Sequence, residues 1–274
     1  MFPRVYVEIT NICNMRCSFC HGHSRPLRRM TQDEFSRILD RLEGHTQYIY
    51  YHLMGEPLTH PQLPDFIRLA AQRGFRSVLT TNGTLLESRG AQLIAAAPHK
   101  VSISLHSFEN GGEDSHRQYL HQVSAFADAA SKAGIIISLR LWNRGFDDGR
   151  NDITLALLHE FLPTPWKQNS RGYRIQDKLF LEWGDRFSWP DRDAQDLGSE
   201  VTCYGLSDHF GILCDGSLVP CCLDSDGAIT LGNIFQTPVD EILSSPRARA
   251  MAEGFTRRTA TEDLCRRCGY ARRF

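Results

Sequence analysis

Hydrophobic and polar positions alternate with two different periods along the first 160 or so residues. Short β-branched and apolar runs recur roughly every 30 residues, and stretches with helical spacing separate them. The pattern predicts strands at residues 5–9, 48–53, 77–81, 101–105 and 135–141, and a less regular sixth strand near 173–181. Strands that alternate with helices in this way are typical of a parallel sheet.

Several helix boundaries carry local signals. Thr31 and Glu34 form the pattern of a capping box, and the apolar residues of 35–42 recur at helical spacing on one face. We predict that the next helix ends at Gly74 and that a later one ends at Gly134, because glycine suits the left-handed position after a helix.

The number of strand and helix units sets the fold class. The alternation gives about six units, whereas a closed eight-unit barrel typically needs about 250 residues. We therefore predict an α/β fold built on a partial (β/α)6 TIM barrel. Beyond residue 185 the chain is rich in Trp, Pro, Asp and Gly and then in cysteine, so we predict a barrel at 1–184 and a small second domain at 185–274.

Composition narrows the function classes. The 274 residues are 41% hydrophobic and 23% charged, as in ordinary globular proteins, and a formal net charge of −1 gives no reason to expect nucleic acid as a partner. No apolar run reaches the roughly 20 residues that cross a bilayer, so no membrane partner is expected. The first residues lack the pattern of a signal peptide, which predicts a cytoplasmic location.

Nine cysteines therefore need an explanation other than disulfides, because cytosolic thiols are kept reduced. Cys13, Cys17 and Cys20 directly follow the first predicted strand, at the sheet edge where barrel folds place their chemistry. Three thiolates at this spacing suit three irons of a [4Fe–4S] cluster and leave the fourth iron open. A zinc site or three buried thiols are the alternatives, although structural zinc prefers four ligands.

The spacing Cys-x3-Cys-x2-Cys, with Phe19 before the last cysteine, resembles the signature of the radical S-adenosylmethionine (radical SAM) superfamily. The resemblance implies that the open iron chelates the amine and carboxylate of S-adenosylmethionine. Reductive cleavage would then give a 5′-deoxyadenosyl radical that takes a hydrogen atom from the substrate. It also implies Phe19 as a cofactor contact and an electron donor such as flavodoxin or ferredoxin.

A second element of the same family follows the second predicted strand. Met54, Gly55, Glu56 and Pro57 resemble its Gly-Gly-Glu-Pro motif, with methionine at the first position. The resemblance implies that these residues receive the amino group of the cofactor. A carboxylate is a suitable partner for an ammonium group, and glycine allows close backbone approach. On its own, such a segment would be an ordinary turn.

Later strand ends supply further candidates for the cofactor site. Thr81 and Asn82 lie in a Thr-Thr-Asn-Gly-Thr segment that matches a common strand ending of the superfamily. Ser104 and His106 share one face of the fourth strand, and Arg140 lies on the fifth. By resemblance, Ser104 and Arg140 are candidates for the ribose and carboxylate of the cofactor. His106 is favoured as a hydrogen-bonded core histidine.

The C-terminal cysteines form a second set. Cys203, Gly216 and Cys221 match the opening of the auxiliary-cluster domains called SPASM and twitch, and Cys265 and Cys268 supply a further pair. This resemblance implies a second, auxiliary [4Fe–4S] cluster with Cys203, Cys221, Cys265 and Cys268 as ligands. Zinc is the alternative, because four cysteines also make a tetrahedral site.

Two cysteines remain outside these ligand sets. Cys222 adjoins a predicted ligand, and in some radical epimerases of the superfamily a cysteine returns a hydrogen atom to the substrate radical. Cys222 is therefore the candidate catalytic residue, although such adjacent pairs also occur without a donor role. Cys214 lies in an apolar run and is predicted to be a buried small hydrophobic residue.

The cysteine spacings are similar to those of the radical dehydrogenase of aminoglycoside biosynthesis. This resemblance implies dehydrogenation of a small molecule, such as an amino-sugar or cyclitol alcohol, with the auxiliary cluster accepting an electron. A peptide-modifying enzyme (epimerase, cross-linker or maturase) is the alternative, weakened by the 12 residues before Cys13, too few for an N-terminal leader-recognition domain. A hypothesis of another class is a non-catalytic iron–sulfur or zinc module with a redox or scaffold role.

Overall fold

The computed structural model describes residues 1–109, 111–147 and 149–273. The strands are β1 (Val5–Val7), β2 (Tyr48–Tyr50), β3 (Arg76–Thr81), β4 (Lys100–Ser104), β5 (Ile136–Arg144), β6 (Lys167–Asn169), β7 (Gly172–Gln176), β8 (Leu179–Asp185), β9 (Gly211–Ile212), β10 (Ser217–Val219) and β11 (Gly232–Asn233). The α-helices are α1 (Gln32–Leu42), α2 (Leu63–Gln72), α3 (Leu86–Ala96), α4 (Glu113–Lys132), α5 (Arg150–Phe161), α6 (Val239–Leu243), α7 (Pro246–Thr256) and α8 (Asp263–Arg266).

One sheet contains all of these strands, in the order β11-β10-β9-β1-β2-β3-β4-β5-β8-β7-β6. The six strands from β1 to β8 in this order pair in parallel, and α1 to α4 connect the first five of them. The parallel strands bring their carboxyl ends to one edge, called the mouth below. This arrangement confirms the predicted α/β class and the partial barrel.

The outward face of the parallel strands packs against the helices. Val5 and Val7 of β1, Val101 and Ile103 of β4 and their counterparts on neighbouring strands are buried in one core with the helices. Alternate residues therefore face the inside of the partial barrel, which we call the lumen. In α1, the predicted capping box is present, because Thr31 and Glu34 exchange hydrogen bonds.

The sixth predicted strand, near residues 173–181, is corrected by the structure. That stretch contains two antiparallel strands, β7 and β8, and β8 alone of the two pairs in parallel with β5. The turn between them places Lys178 at a φ of +58°. Because the turn contains neither glycine nor proline, the sequence gives no signal for a turn here, and the two strands were predicted as one.

The C-terminal strands extend the same sheet. β9 pairs in parallel with β1, with Tyr6 opposite Gly211, and β10 and β11 continue as an antiparallel meander. Helices α6 to α8 follow. Residues of both predicted domains therefore share one hydrogen-bonded sheet, and the pairing of β1 with β9 joins them directly.

Candidate active site

The loop after β1 carries Cys13, Cys17 and Cys20 at the mouth. All three thiols are at least partly exposed. Burial, followed by the nearby Glu109 and the other two thiols, raises the pKa of Cys17 to about 12. Three thiols that influence one another electrostatically form a donor set suited to several irons, since iron–sulfur clusters bind thiolates.

Polar side chains from distant parts of the chain hold this loop. Glu109 accepts hydrogen bonds from the backbone N–H (2.6 Å) and the hydroxyl (2.5 Å) of Ser18. Asn82 donates to Asn14 (2.9 Å), and the indole N–H of Trp189 donates to the carbonyl of Phe19 (2.9 Å). Neither Glu109 nor Asn14 was predicted as a site residue from the sequence. Asn14 lies between two motif cysteines, whereas Glu109 carries no sequence signal.

The turn after β2 approaches β1 very closely. Gly55 has a φ of +78°, and a Cβ at this position would lie 2.3 Å from the carbonyl oxygen of Thr10. Only glycine fits both the conformation and the space. Met54 donates its N–H to the buried carboxylate of Glu8 (3.1 Å), which fixes the start of the turn beside β1.

Glu56 lies at the centre of a buried hydrogen-bond network. Its carboxylate accepts from the hydroxyl of Thr81 (2.7 Å) and from the backbone N–H groups of Asn82 (2.7 Å) and Leu58 (3.0 Å). Burial raises the pKa of Glu56, and these three hydrogen bonds oppose the shift. The structure thus brings the predicted residues Glu56, Thr81 and Asn82 together and ties the β2 turn to the end of β3.

A large cleft opens beside the cysteine loop. It contains about 1550 Å³ of space, part of it continuous with solvent, and its lining includes Phe19, His106, Trp142 and Asn143. The rings of Phe19 and His106 lie 4.8 Å apart, and burial lowers the pKa of His106 to about 4. His106 is therefore a neutral histidine in the wall of the cleft, hydrogen-bonded through Nδ1 at 3.1 Å to the carbonyl of Arg140.

The lumen next to this cleft is polar and incompletely hydrogen-bonded. Arg140 lies opposite Ser104 across the strand pair, and its Nε has no hydrogen-bond partner among the described residues. Its nearest carboxylate, Glu182, is 3.9 Å away, and one terminal nitrogen donates to Thr80 at 3.5 Å. Unsatisfied buried donors are costly, so this guanidinium is suited to an oxygen-rich ligand.

Four of the C-terminal cysteines line one cavity. Cys203, Cys221, Cys265 and Cys268 share it with apolar neighbours that include Val201, Pro220, Ile229, Phe255 and Leu264. Burial raises the pKa of all four thiols. The donor set, four thiols around one apolar space, fits a [4Fe–4S] cluster with every iron bound by the protein.

Cys222 and Cys214 lie outside that cavity. Cys222 is partly buried and packs against a small cluster that includes Tyr6. Cys214 is 1% exposed, as expected for a buried small residue, and it also accepts a hydrogen bond from Arg25 (3.8 Å). Arg25 also forms an ion pair with the buried Glu8 at 2.7 Å and donates to the carbonyl of Ser225 at 2.8 Å, so it links the end of β1 to the C-terminal region.

The protein thus combines an α/β fold with two cysteine sites. Three thiols lie at the exposed mouth, and four line the cavity in the C-terminal region. The family model of the radical SAM superfamily matches residues 7–143, half of the chain, and a model described as an iron–sulfur cluster-binding domain (SPASM) matches residues 203–269. The chain therefore belongs to the radical SAM superfamily. It uses S-adenosylmethionine and carries two [4Fe–4S] clusters, one that binds this cofactor and one auxiliary.

Curated relatives match shorter segments. The chain is 40% identical over 86 residues to the tungsten-containing aldehyde ferredoxin oxidoreductase cofactor-modifying protein of Pyrococcus furiosus (30% of this chain, 24% of the relative). It is 32% identical over 129 residues to the AdoMet-dependent heme synthase of Methanosarcina barkeri (45% and 36%). The matches thus span about a quarter to a third of each relative's length.

Solved structures match over nearly the whole chain. BtrN in complex with AdoMet and 2-DOIA has a TM-score of 0.63 at 16% identity, covering 98% of this chain and 93% of that one. SuiB of Streptococcus suis bound to S-adenosylmethionine has a TM-score of 0.63 at 14% identity, covering 98% and 70%. At these identities the likeness concerns the fold. Separately, none of the described helices is both long and apolar enough to traverse a membrane.

Proposed function

We propose that this chain is an oxidoreductase that removes a hydrogen atom from a small-molecule substrate, such as an amino-sugar or cyclitol alcohol. The observation that carries the proposal is the cavity lined by Cys203, Cys221, Cys265 and Cys268. Four thiolates satisfy all irons of a cluster and leave no site for substrate, so the role that suits it is to accept an electron. Loss of a hydrogen atom and then an electron and a proton is a net oxidation.

The residues at the mouth have separate proposed roles. Cys13, Cys17 and Cys20 hold the cluster that binds S-adenosylmethionine, which when bound supplies an organic radical for hydrogen abstraction. The Met54–Pro57 turn presents its backbone to the amino group of the cofactor, and Glu56 keeps the turn against β3. Ser104 and Arg140 bind the ribose and carboxylate of the cofactor, and Phe19 also contacts the cofactor.

Arg140 also supplies a charge partner for the cofactor, and the fold around it excludes water. The Nε–H group of this guanidinium has no hydrogen-bond partner among the described residues, and an incoming carboxylate would pair with it. Burial also excludes water from this part of the lumen, which protects a radical from quenching by solvent. An electron donor of the flavodoxin or ferredoxin class and a reducing, cytoplasmic environment complete the proposal.

The test is anaerobic reconstitution followed by reaction with S-adenosylmethionine and dithionite. We expect about eight irons per chain, as two [4Fe–4S] clusters require, and release of 5′-deoxyadenosine. The matched variants are Cys17→Ala, which should stop the release, and Cys214→Ala, which should not. Bound zinc without cofactor cleavage would contradict the proposal and support a non-catalytic scaffold or redox module.

A second candidate is a peptide-modifying enzyme, in particular an epimerase that uses Cys222 as hydrogen donor. The observation that favours it is the position of Cys222, which packs against a small cluster that includes Tyr6, Leu53 and Val219 and lies outside the auxiliary cavity. SuiB, one structural neighbour, is known in complex with its precursor peptide SuiA. Once a substrate is found, solvent deuterium on a product carbon would indicate epimerisation, and an oxidised product without deuterium would indicate dehydrogenation.

A further inference from the structure

The carboxylate of Glu8, directly after β1, is fully buried and has no part in the roles proposed above. Its two oxygens accept four hydrogen bonds. Arg25 donates one to each oxygen, at 2.8 and 2.7 Å. The backbone N–H groups of Met54 (3.1 Å) and Cys214 (3.2 Å) donate the other two. Three segments that are distant in sequence therefore meet at one side chain.

Each of these segments belongs to one of the two cysteine sites. Arg25 follows Cys20, the last cysteine of the mouth, by five residues. Met54 begins the turn that is proposed to receive the amino group of the cofactor. Cys214 lies between β9 and β10, and β10 leads to Cys221 in the auxiliary cavity. The Glu8 carboxylate thus connects the supports of both sites.

The turn itself is attached to the segment before the mouth cysteines at two points. The N–H of Met54 donates to Glu8, and the N–H of Glu56 donates to the carbonyl of Ile12 at 2.9 Å. Ile12 directly precedes Cys13. The backbone of the turn therefore lies along residues 8–12, and the hydrogen bond to Glu8 fixes its first residue.

The ion pair of Glu8 and Arg25 is better explained by positioning than by stability. Replacing a buried ion pair by well-packed apolar side chains often costs a protein no stability, because desolvation offsets much of the attraction between the charges. A two-point contact between a guanidinium and a carboxylate fixes the orientation of both groups. Arg25 is itself fixed, since its Nε donates to the carbonyl of Ser225 at 2.8 Å. The oxygen that accepts from Met54 is therefore held in place.

We propose that Glu8 is a positioning residue for S-adenosylmethionine. Oriented by Arg25, it fixes the Met54 end of the turn so that the backbone of the turn is in place for the amino group of the cofactor. The inference rests on the role proposed above for the Met54–Pro57 turn. If Glu8 only stabilised the fold, its replacement would make unfolding easier and leave the affinity for the cofactor unchanged.

Calorimetric titration of S-adenosylmethionine into the oxidised, reconstituted holoenzyme tests this role, because the cofactor is not cleaved without a reductant. Glu8→Gln keeps the size of the side chain but loses the charge and one acceptor oxygen. We expect it to raise the dissociation constant about five-fold, the effect of losing one hydrogen bond. Glu34→Gln is the matched control, since Glu34 pairs with Arg28 of the same segment and lies on α1 rather than beside the turn. Its dissociation constant should equal that of the parent protein.

Kinetics of 5′-deoxyadenosine release give a second measurement. In Glu8→Gln the KM for S-adenosylmethionine should rise by the same factor, while kcat and the content of about eight irons stay unchanged. A dissociation constant and KM equal to those of the parent protein would overturn the inference. A parent protein that neither binds nor cleaves the cofactor would instead contradict the proposed function.

A second pair of variants applies if Glu8→Gln does not fold. Arg25→Lys keeps a positive charge beside Glu8 but loses the two-point contact, so we expect cofactor binding to weaken about three-fold. Arg28→Lys makes the same change beside Glu34 and should leave binding unchanged. Equal affinity in Arg25→Lys, Arg28→Lys and the parent protein would overturn the inference.

Discussion

The two cysteine sites of this protein differ in number of thiols, exposure and support. At the mouth, three thiols lie on a loop that remains open to solvent and is held by polar side chains such as Glu109 and Asn82. In the C-terminal region, four thiols surround an apolar cavity, and Cys268 is only 9% exposed.

The contrast has a chemical meaning. An iron without a protein thiolate needs room for an incoming ligand, and the mouth provides it beside a wide cleft. A cluster with four thiolates needs exclusion of solvent instead, because burial and the surrounding groups set its reduction potential. This contrast suits the proposed division of roles, in which one site exchanges ligands and the other transfers electrons.

The largest effect is expected from removing a thiol at the mouth. Cys17→Ala should abolish 5′-deoxyadenosine release while about four of the eight irons remain, because the auxiliary site is untouched. Iron analysis and product chromatography check this outcome. Loss of all iron would show that the two sites are not independent.

Removing a thiol from the C-terminal cavity should instead affect the auxiliary cluster and leave cofactor cleavage in place. Cys265→Ala is expected to lose the auxiliary cluster and to lower the thermal midpoint by about 5 to 10 °C, since metal binding stabilises the folded state. Cofactor cleavage should persist at a reduced rate. Calorimetry and the same product assay measure both quantities, and complete loss of cleavage would contradict the proposed division of roles.

A smaller effect is expected from Gly55→Ala in the turn beside the mouth. The added Cβ would clash with the backbone at Thr10 in a left-handed conformation, so unfolding should be easier by about 3 kcal/mol. Gly74→Ala is the matched control, because its φ is +81° but no atom lies within 4 Å of the added carbon. It should cost about 1 kcal/mol. Urea unfolding of the two variants provides the comparison.

The smallest effect concerns His106 in the cleft wall. Burial lowers its pKa from 6.5 to about 4, so the neutral form stabilises the fold above pH 6.5, and this contribution is lost as the pH falls toward 4. Replacing it, as in His106→Gln, should reduce the loss of stability between pH 7 and 5.5 by about 1 kcal/mol. Unfolding curves measured across this range decide the point, and identical slopes for both proteins would contradict it.

Local patterns carried most of the correct sequence predictions. The capping-box pattern of Thr31 and Glu34 correctly predicted the start of the first helix. The three mouth cysteines lie within eight residues, so their grouping could be predicted without knowledge of the tertiary structure. Long-range pairings were not accessible in this way. The Glu109–Ser18 contact joins residues 91 apart, and the turn between β7 and β8 lacked the residues that usually mark a hairpin. The positions of Tyr6 and Cys222 also depend on how β1 meets the C-terminal region.

That meeting of β1 with β9 has a practical consequence. A strand that loses its neighbour in the sheet exposes a row of unpaired N–H and C=O groups. These groups can pair with strands of other molecules, which promotes aggregation. Truncation before β9 would remove the partner of Tyr6 and Val7 in the sheet. The auxiliary region therefore also protects the edge of the strand that leads into the first cysteine loop. We expect versions of the chain that end before β9 to aggregate.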